Sequence, residues 1–177
     1  MLWPAHIGAS YLGGLAAIDL SRERGIVEQS TRAVVAYGIA AGLVSDVDAL
    51  PLILRSGLGA FGDQFGVHRL SPFHTPVLAA AMCLLPLLLP SPHRRALSLA
   101  GLMGVISHLA LDSLTIGPGV MWLYPFSRQL YGIDLATRWY PFEGRDSWMI
   151  EYIGTPLFLI EVAIVIAAAA VWFRRRV

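Results

Sequence analysis

Seven side chains have the types and spacing of a divalent-metal site: His6, Asp46, Asp48, His68, His74, His108 and Asp112. Imidazole nitrogens and carboxylate oxygens serve zinc, manganese, iron or nickel alike, so the donor set points to a metal without choosing one. His108 and Asp112, in SHLALDSLT, are four apart; on a helix both project from one face and can grip one ion. The same spacing also suits a hydrogen-bonded His–Asp pair that merely fastens two helices. Asp46 and Asp48, in LVSDVDALP, are two apart and would diverge on a regular helix, so for both to reach one site the helix must end or unwind there. Two carboxylates that close resist joint ionisation unless a cation accompanies them; a solvated helix end is the plainer reading. His68 and His74 sit in HRLSPFHTP, where Pro72 and Pro76 disfavour a continuous helix and call for a turn that brings both imidazoles inward. Four imidazoles and three aspartates exceed the needs of one catalytic zinc, which takes three protein ligands and an open position. Two ions about 3.5 to 4 Å apart fit the inventory better.

These residues must be positioned by an unusually apolar chain. Of its 177 residues 56% are hydrophobic and 14% charged, with mean hydropathy +0.62, which predicts one polytopic, all-helical membrane domain over 1–177. The basic residues are all arginine and the net charge is +1, so no nucleic-acid partner is expected. Cys83 is the only cysteine, which excludes an intramolecular disulfide and a cysteine-built zinc cage. Five segments approach the length of a membrane span: 3–20, 32–54, 74–90, 95–115 and 150–173. The third is short and holds Pro76, Pro86 and Pro90, so four spans with one re-entrant or interfacial helix is an alternative to five.

Arginine placement orients the chain, because short arginine-rich connections stay cytoplasmic. Arg22, Arg24 and Arg32, then Arg94 and Arg95, then Arg174, Arg175 and Arg176 fall on one side of a five-span arrangement. The N-terminus and all seven candidate ligands, with Glu151, then share the extracytoplasmic face. Segment 116–149 is rich in aromatic residues, including Trp122, Tyr124, Phe126, Tyr131, Trp139 and Trp148, and reads as a lid or binding loop or as an aromatic belt at headgroup depth. Gly38 and Gly42 allow close helix approach, for packing within the chain rather than dimerisation. Glu161, halfway down the last segment, is either protonated and hydrogen-bonded or a support for the site.

At His6, LVSDVDALP, HRLSPFHTP, SHLALDSLT and LYPFS (123–127), in that order, the chain resembles the YdjM-like family of LexA-binding, inner-membrane-associated metal-dependent hydrolases, whose activity is itself inferred from these motifs. Ser45 departs from the proline expected before the first aspartate, which leaves the ligands intact. The order of His, Asp, His and helical His-x-x-x-Asp is more distantly similar to the all-helical zinc phospholipase C and P1 nuclease fold, an analogy that makes phosphate esters the leading substrate class. The resemblance implies a hydrolase in which the seven residues hold one or two divalent ions, zinc first and manganese or iron next. Metal-activated water is then the nucleophile, Asp46 or Asp48 its proton acceptor, and Arg69 or Arg128 a partner for phosphate. The expected partner is a membrane lipid or amphiphilic small molecule. A metal-binding transporter or sensor, and a structural or regulatory membrane protein without metal, are the alternatives. No G-x-S-x-G elbow, H-E-x-x-H pair or P-loop is present.

Overall fold

The computed structural model describes residues 3–21, 28–56, 70–114, 119–133 and 152–175. His68, Arg69, Glu151 and residues 134–149 of the aromatic segment lie outside the described residues. The architecture is all-helical: α1 (Trp3–Ser21), α2 (Glu28–Val44), α3 (Ala49–Ser56), α4 (Pro76–Leu84), α5 (Arg94–Ser113) and α6 (Pro156–Arg175). Of the described helices, α5 and α6 are long and apolar enough to cross a membrane, each about 30 Å at 1.5 Å per residue.

Helix α5 is central and packs against α1, α2 and α4, while α6 packs on α1. The reason is written in its small residues. Ala96, Ala100, Gly101 and Gly104 are all buried, and Gly104 lies so close to α2 that a Cβ there would run into the Gly38 carbonyl oxygen. A Cβ on Gly42 would in turn meet the Ser10 hydroxyl of α1, with the Gly104 carbonyl oxygen only 3.0 Å away. Three backbones therefore meet at Ser10, Gly42 and Gly104, the small-residue mode of helix association used where both sides are apolar. This is the intrachain use expected of Gly38 and Gly42.

The second apolar segment is not one helix. α2 stops at Val44, residues 45–48 form turns, and α3 restarts at Ala49. Pro51 supplies the local cause: it has no N–H for the Val47 carbonyl and its ring crowds that position, so the chain closes tighter bonds instead, Asp46 N to Leu43 O at 3.0 Å and Leu50 N to Val47 O at 3.3 Å. The third segment breaks in the same way. Pro86 cannot continue α4, which tightens into a 3-10 turn over Leu85–Leu88, and the carbonyls left open find other donors. Tyr37 Oη–H donates to Met82 O at 2.8 Å and Ser98 Oγ–H to Cys83 O at 2.6 Å. Satisfying those groups internally is what an apolar surrounding demands.

Along α6 the large apolar residues face outward, with Leu159 67%, Ile166 62% and Phe173 69% exposed. Water would penalise such a surface; hydrocarbon does not. The packing makes a clear prediction for the centre of the bundle. Gly104→Leu should lower the stability of the detergent-solubilised protein by about 1–3 kcal/mol or more, the cost of overpacking, whereas Ala163→Leu on the exposed face of α6 should be nearly neutral. Thermal unfolding of the two variants side by side checks this.

Candidate metal centre

Helix directions bring the candidate ligands to one end of the bundle. His6 opens α1, Asp46 follows the end of α2, His74 precedes α4, and His108 and Asp112 close α5. Each is held by a local device. On α5 the four-residue spacing puts His108 and Asp112 on the same inward face, 0% and 2% exposed. His74 is fixed by one 3-10 turn, Pro72–His74, framed by prolines on either side. Ser71 Oγ accepts from Phe73 N at 3.3 Å, Thr75 Oγ1–H donates to Pro72 O at 2.7 Å, and Pro76 then starts α4 as a preset first residue. His6 is buried on α1 and stacks on His108, ring centroids 4.0 Å apart.

Four atoms form a closed ring with uniform sides. His74 Nε2 and His108 Nε2 each lie 3.5 Å from Asp46 Oδ1 and 3.5 Å from Asp112 Oδ2. His6 Nε2 is 3.5 Å from the other oxygen of the same aspartate, Asp112 Oδ1. These separations are too long for charge-assisted hydrogen bonds, which run about 2.7–2.9 Å. They match the spacing of ligands around an ion: two donors about 2.0–2.1 Å from a tetrahedral centre stand about 3.4 Å apart. Two carboxylates also carry the charge that a divalent cation would neutralise, and carboxylates buried without any compensating charge would be costly. The geometry thus yields two groups that can hold an ion, His74 with His108 and Asp112, and His6 with Asp46 and His108.

Asp48 does something else. Its Oδ2 lies 3.8 Å from His74 Nδ1, the ring nitrogen that does not face Asp46 and Asp112. Both Asp48 oxygens are buried and without a hydrogen-bond partner among the described residues. At 3.8 Å the contact is electrostatic and longer than a hydrogen bond. The break in the helix anticipated from their spacing lets the two aspartates of LVSDVDALP meet His74 at different ring nitrogens.

Other expected parts are placed differently. Arg128 is exposed. The described part of the aromatic segment is anchored to the C-terminal end of α5. Trp122 Nε1–H donates to Ser113 Oγ at 2.8 Å, Ile133 N to Ser113 O at 2.6 Å, and Val120 packs against Val105 and Leu109. Phe126, 96% exposed, points away from that core. Glu161 is buried and accepts a hydrogen bond from Tyr152 Oη–H. Tyr152 has no marker in the sequence: nothing in a nine-residue separation across a helix start announces the pair.

Fold and cluster define an apolar, all-helical protein with a buried His/Asp group able to hold a metal ion. The chain belongs to the YdjM family of inner membrane proteins, whose family model matches residues 1–176. No curated protein and no solved structure matches it, so the similarity to the zinc phospholipase C and P1 nuclease fold rests on motif order alone.

If the ring is a ligand set, a divalent ion stabilises the folded state by mass action. Zinc at 100 times its Kd should raise stability by about 2.7 kcal/mol, seen as a higher unfolding temperature that a chelator reverses and that Asp112→Asn abolishes. Tyr152→Phe should cost about 1–3 kcal/mol through the lost buried hydrogen bond and leave the zinc-induced increment in place.

Proposed function

We propose that this protein is a multi-pass inner-membrane hydrolase that uses one or two divalent ions to cleave phosphoesters or lipid-like substrates. The observation that supports it most is the ring of 3.5 Å separations joining His74, Asp46, His108 and Asp112. Near-tetrahedral spacing favours zinc, with manganese or iron next. Asp112 presents Oδ2 to His74 and His108 and Oδ1 to His6; His74, His108 and Asp112 would hold one ion, and His6 with Asp46 are the residues that would help to hold a second. An ion held there supplies Lewis acidity and an activated water at neutral pH. Asp48 stands 3.8 Å from His74 Nδ1 and can take up a proton at its carboxylate. The loop anchored by Val120 and Trp122 stands next to Asp112 on α5 and keeps bulk water from that side.

The orientation is part of the proposal. Asp19 of α1 pairs with Arg175 of α6 at 3.7 Å, so the arginine-bearing end of α6 meets the end of α1 remote from His6. Arg32 likewise begins the helix whose other end leads to Asp46, and Arg94 and Arg95 begin the helix that ends in Asp112. With arginines kept cytoplasmic, the cluster faces the extracytoplasmic side.

Elemental analysis of protein purified in mild detergent without chelator tests the reading first. Wild type should carry near-stoichiometric metal, and folded His108→Ala and Asp112→Ala variants should lose it. Asp48→Asn should keep most of the metal and lose about 10- to 100-fold in phosphoesterase rate, the usual effect of removing the partner of a ligand. Folded wild type that stays metal-free after reconstitution would leave only the structural reading, in which the polar groups fasten helices.

A further inference from the structure

Resting on the two-ion reading above, we propose that the two ion positions of the cluster are unequal: an ion held by His74, His108 and Asp112 is resident, and a second, at His6 and Asp46, exchanges with solution from the side of Asp46. Donors are unequally divided between them. His74, His108 and Asp112 form one group that can hold an ion, and His6, Asp46 and His108 form the other, so the two groups share His108. The His108 nitrogen 3.5 Å from Asp46 Oδ1 is the same Nε2 that lies 3.5 Å from Asp112 Oδ2. A ring nitrogen has one lone pair to give and serves one ion at a time. His108 and Asp112 project from one face of α5, four residues apart, and meet an ion already paired. Asp46 comes from a turn on another element. His108 therefore stays with the first ion, which then has three protein donors, the complement of a catalytic zinc. The second ion is left with His6 and Asp46 as donors of its own among the described residues. Asp112 Oδ1 stands 3.5 Å from His6 Nε2, but its carboxylate already shares its charge with the first ion. Water must fill the second ion's remaining positions.

Access is unequal too. His74 and His108 are 0% exposed and Asp112 2%, so an ion among them is walled in, and a ligand that lets go has no water to replace it. Asp46 differs. Its side chain is 14% exposed, and neighbouring Val47, 50% exposed, puts the 45–48 turn at the surface. Water or a chelator can displace the Asp46 carboxylate and leave His6 as the last protein hold on the ion. Fewer donors and an open side both give the second position the lower affinity and the faster release. The first position is then filled once, with folding, whereas occupancy of the second follows the free metal outside, and the centre is complete only where that ion is supplied.

The test uses the full chain in mild detergent, dialysed against increasing free zinc and then challenged with a chromophoric chelator. One zinc per chain is expected at low free zinc and two at saturation; on chelation one equivalent should leave in a fast phase and the other in a separate slow phase. Asp46→Asn should abolish the fast phase and the second equivalent and keep the slow one. His6→Gln should do the same, which guards against a misfolded Asp46→Asn. Asp112→Asn should remove the slow phase, and Asp48→Asn should keep both. Release of both equivalents in one phase, a single equivalent at every zinc concentration, or loss of the slow phase in folded Asp46→Asn with the fast phase kept would each overturn the proposal. None of these readouts uses activity, so zinc bound in two phases by a protein that cleaves no phosphoester would refute the hydrolase reading alone, and folded wild type that binds no zinc would overturn both.

Discussion

The contact among Ser10, Gly42 and Gly104 is the constraint on which the site depends. Gly42 lies four residues before Asp46, Gly104 four before His108, and Ser10 four after His6. Because α1 runs away from the cluster while α2 and α5 run toward it, all three small residues occupy a layer one helical turn, about 5.4 Å, beneath the ligands. Backbones that touch in that layer set the distances in the layer above. A larger side chain at any of the three positions would spread the helices, and separations of 3.5 Å between Asp46 and His108 would not survive a shift of an ångström.

Above that layer the chain gives up regular helix in order to aim side chains. Pro51 makes α2 end in a turn, and that turn lets Asp46 face two imidazoles while Asp48 faces the outer nitrogen of one of them. Pro72 and Pro76 do the same for His74 by isolating a single 3-10 turn. Proline here is the means of presenting the His and Asp side chains of the cluster at the ends of helices, where backbone groups can still find partners, and not a defect in an apolar helix. The freed carbonyls of Met82 and Cys83, taken up by Tyr37 and Ser98, show the same economy farther from the site.

Electrostatics and solvent then pull in one direction. Asp112 is 2% exposed and His108 and His74 are 0% exposed, in a protein whose outer helix α6 offers an almost wholly apolar face. Carboxylates in such surroundings require compensating charge, and the His and Asp groups stand at separations from which they could hold a divalent ion.

Membrane class, helical fold and the His and Asp residues of the cluster were legible in the sequence because they depend on composition and on one-dimensional spacing: long apolar runs, the His-x-x-x-Asp pair of α5, and prolines that end helices. The convergence of His6, Asp46, His74, His108 and Asp112 was legible too, through the parity of helix directions. Two things were decided only in three dimensions. The placement of Asp48 depends on which nitrogen of His74 it meets, and the chain carries no code for ring orientation. The Tyr152–Glu161 pair joins residues whose spacing obeys no helical period. Such contacts follow from the distances at which packed helices come to rest, and those distances are set by the volumes of all the side chains between them.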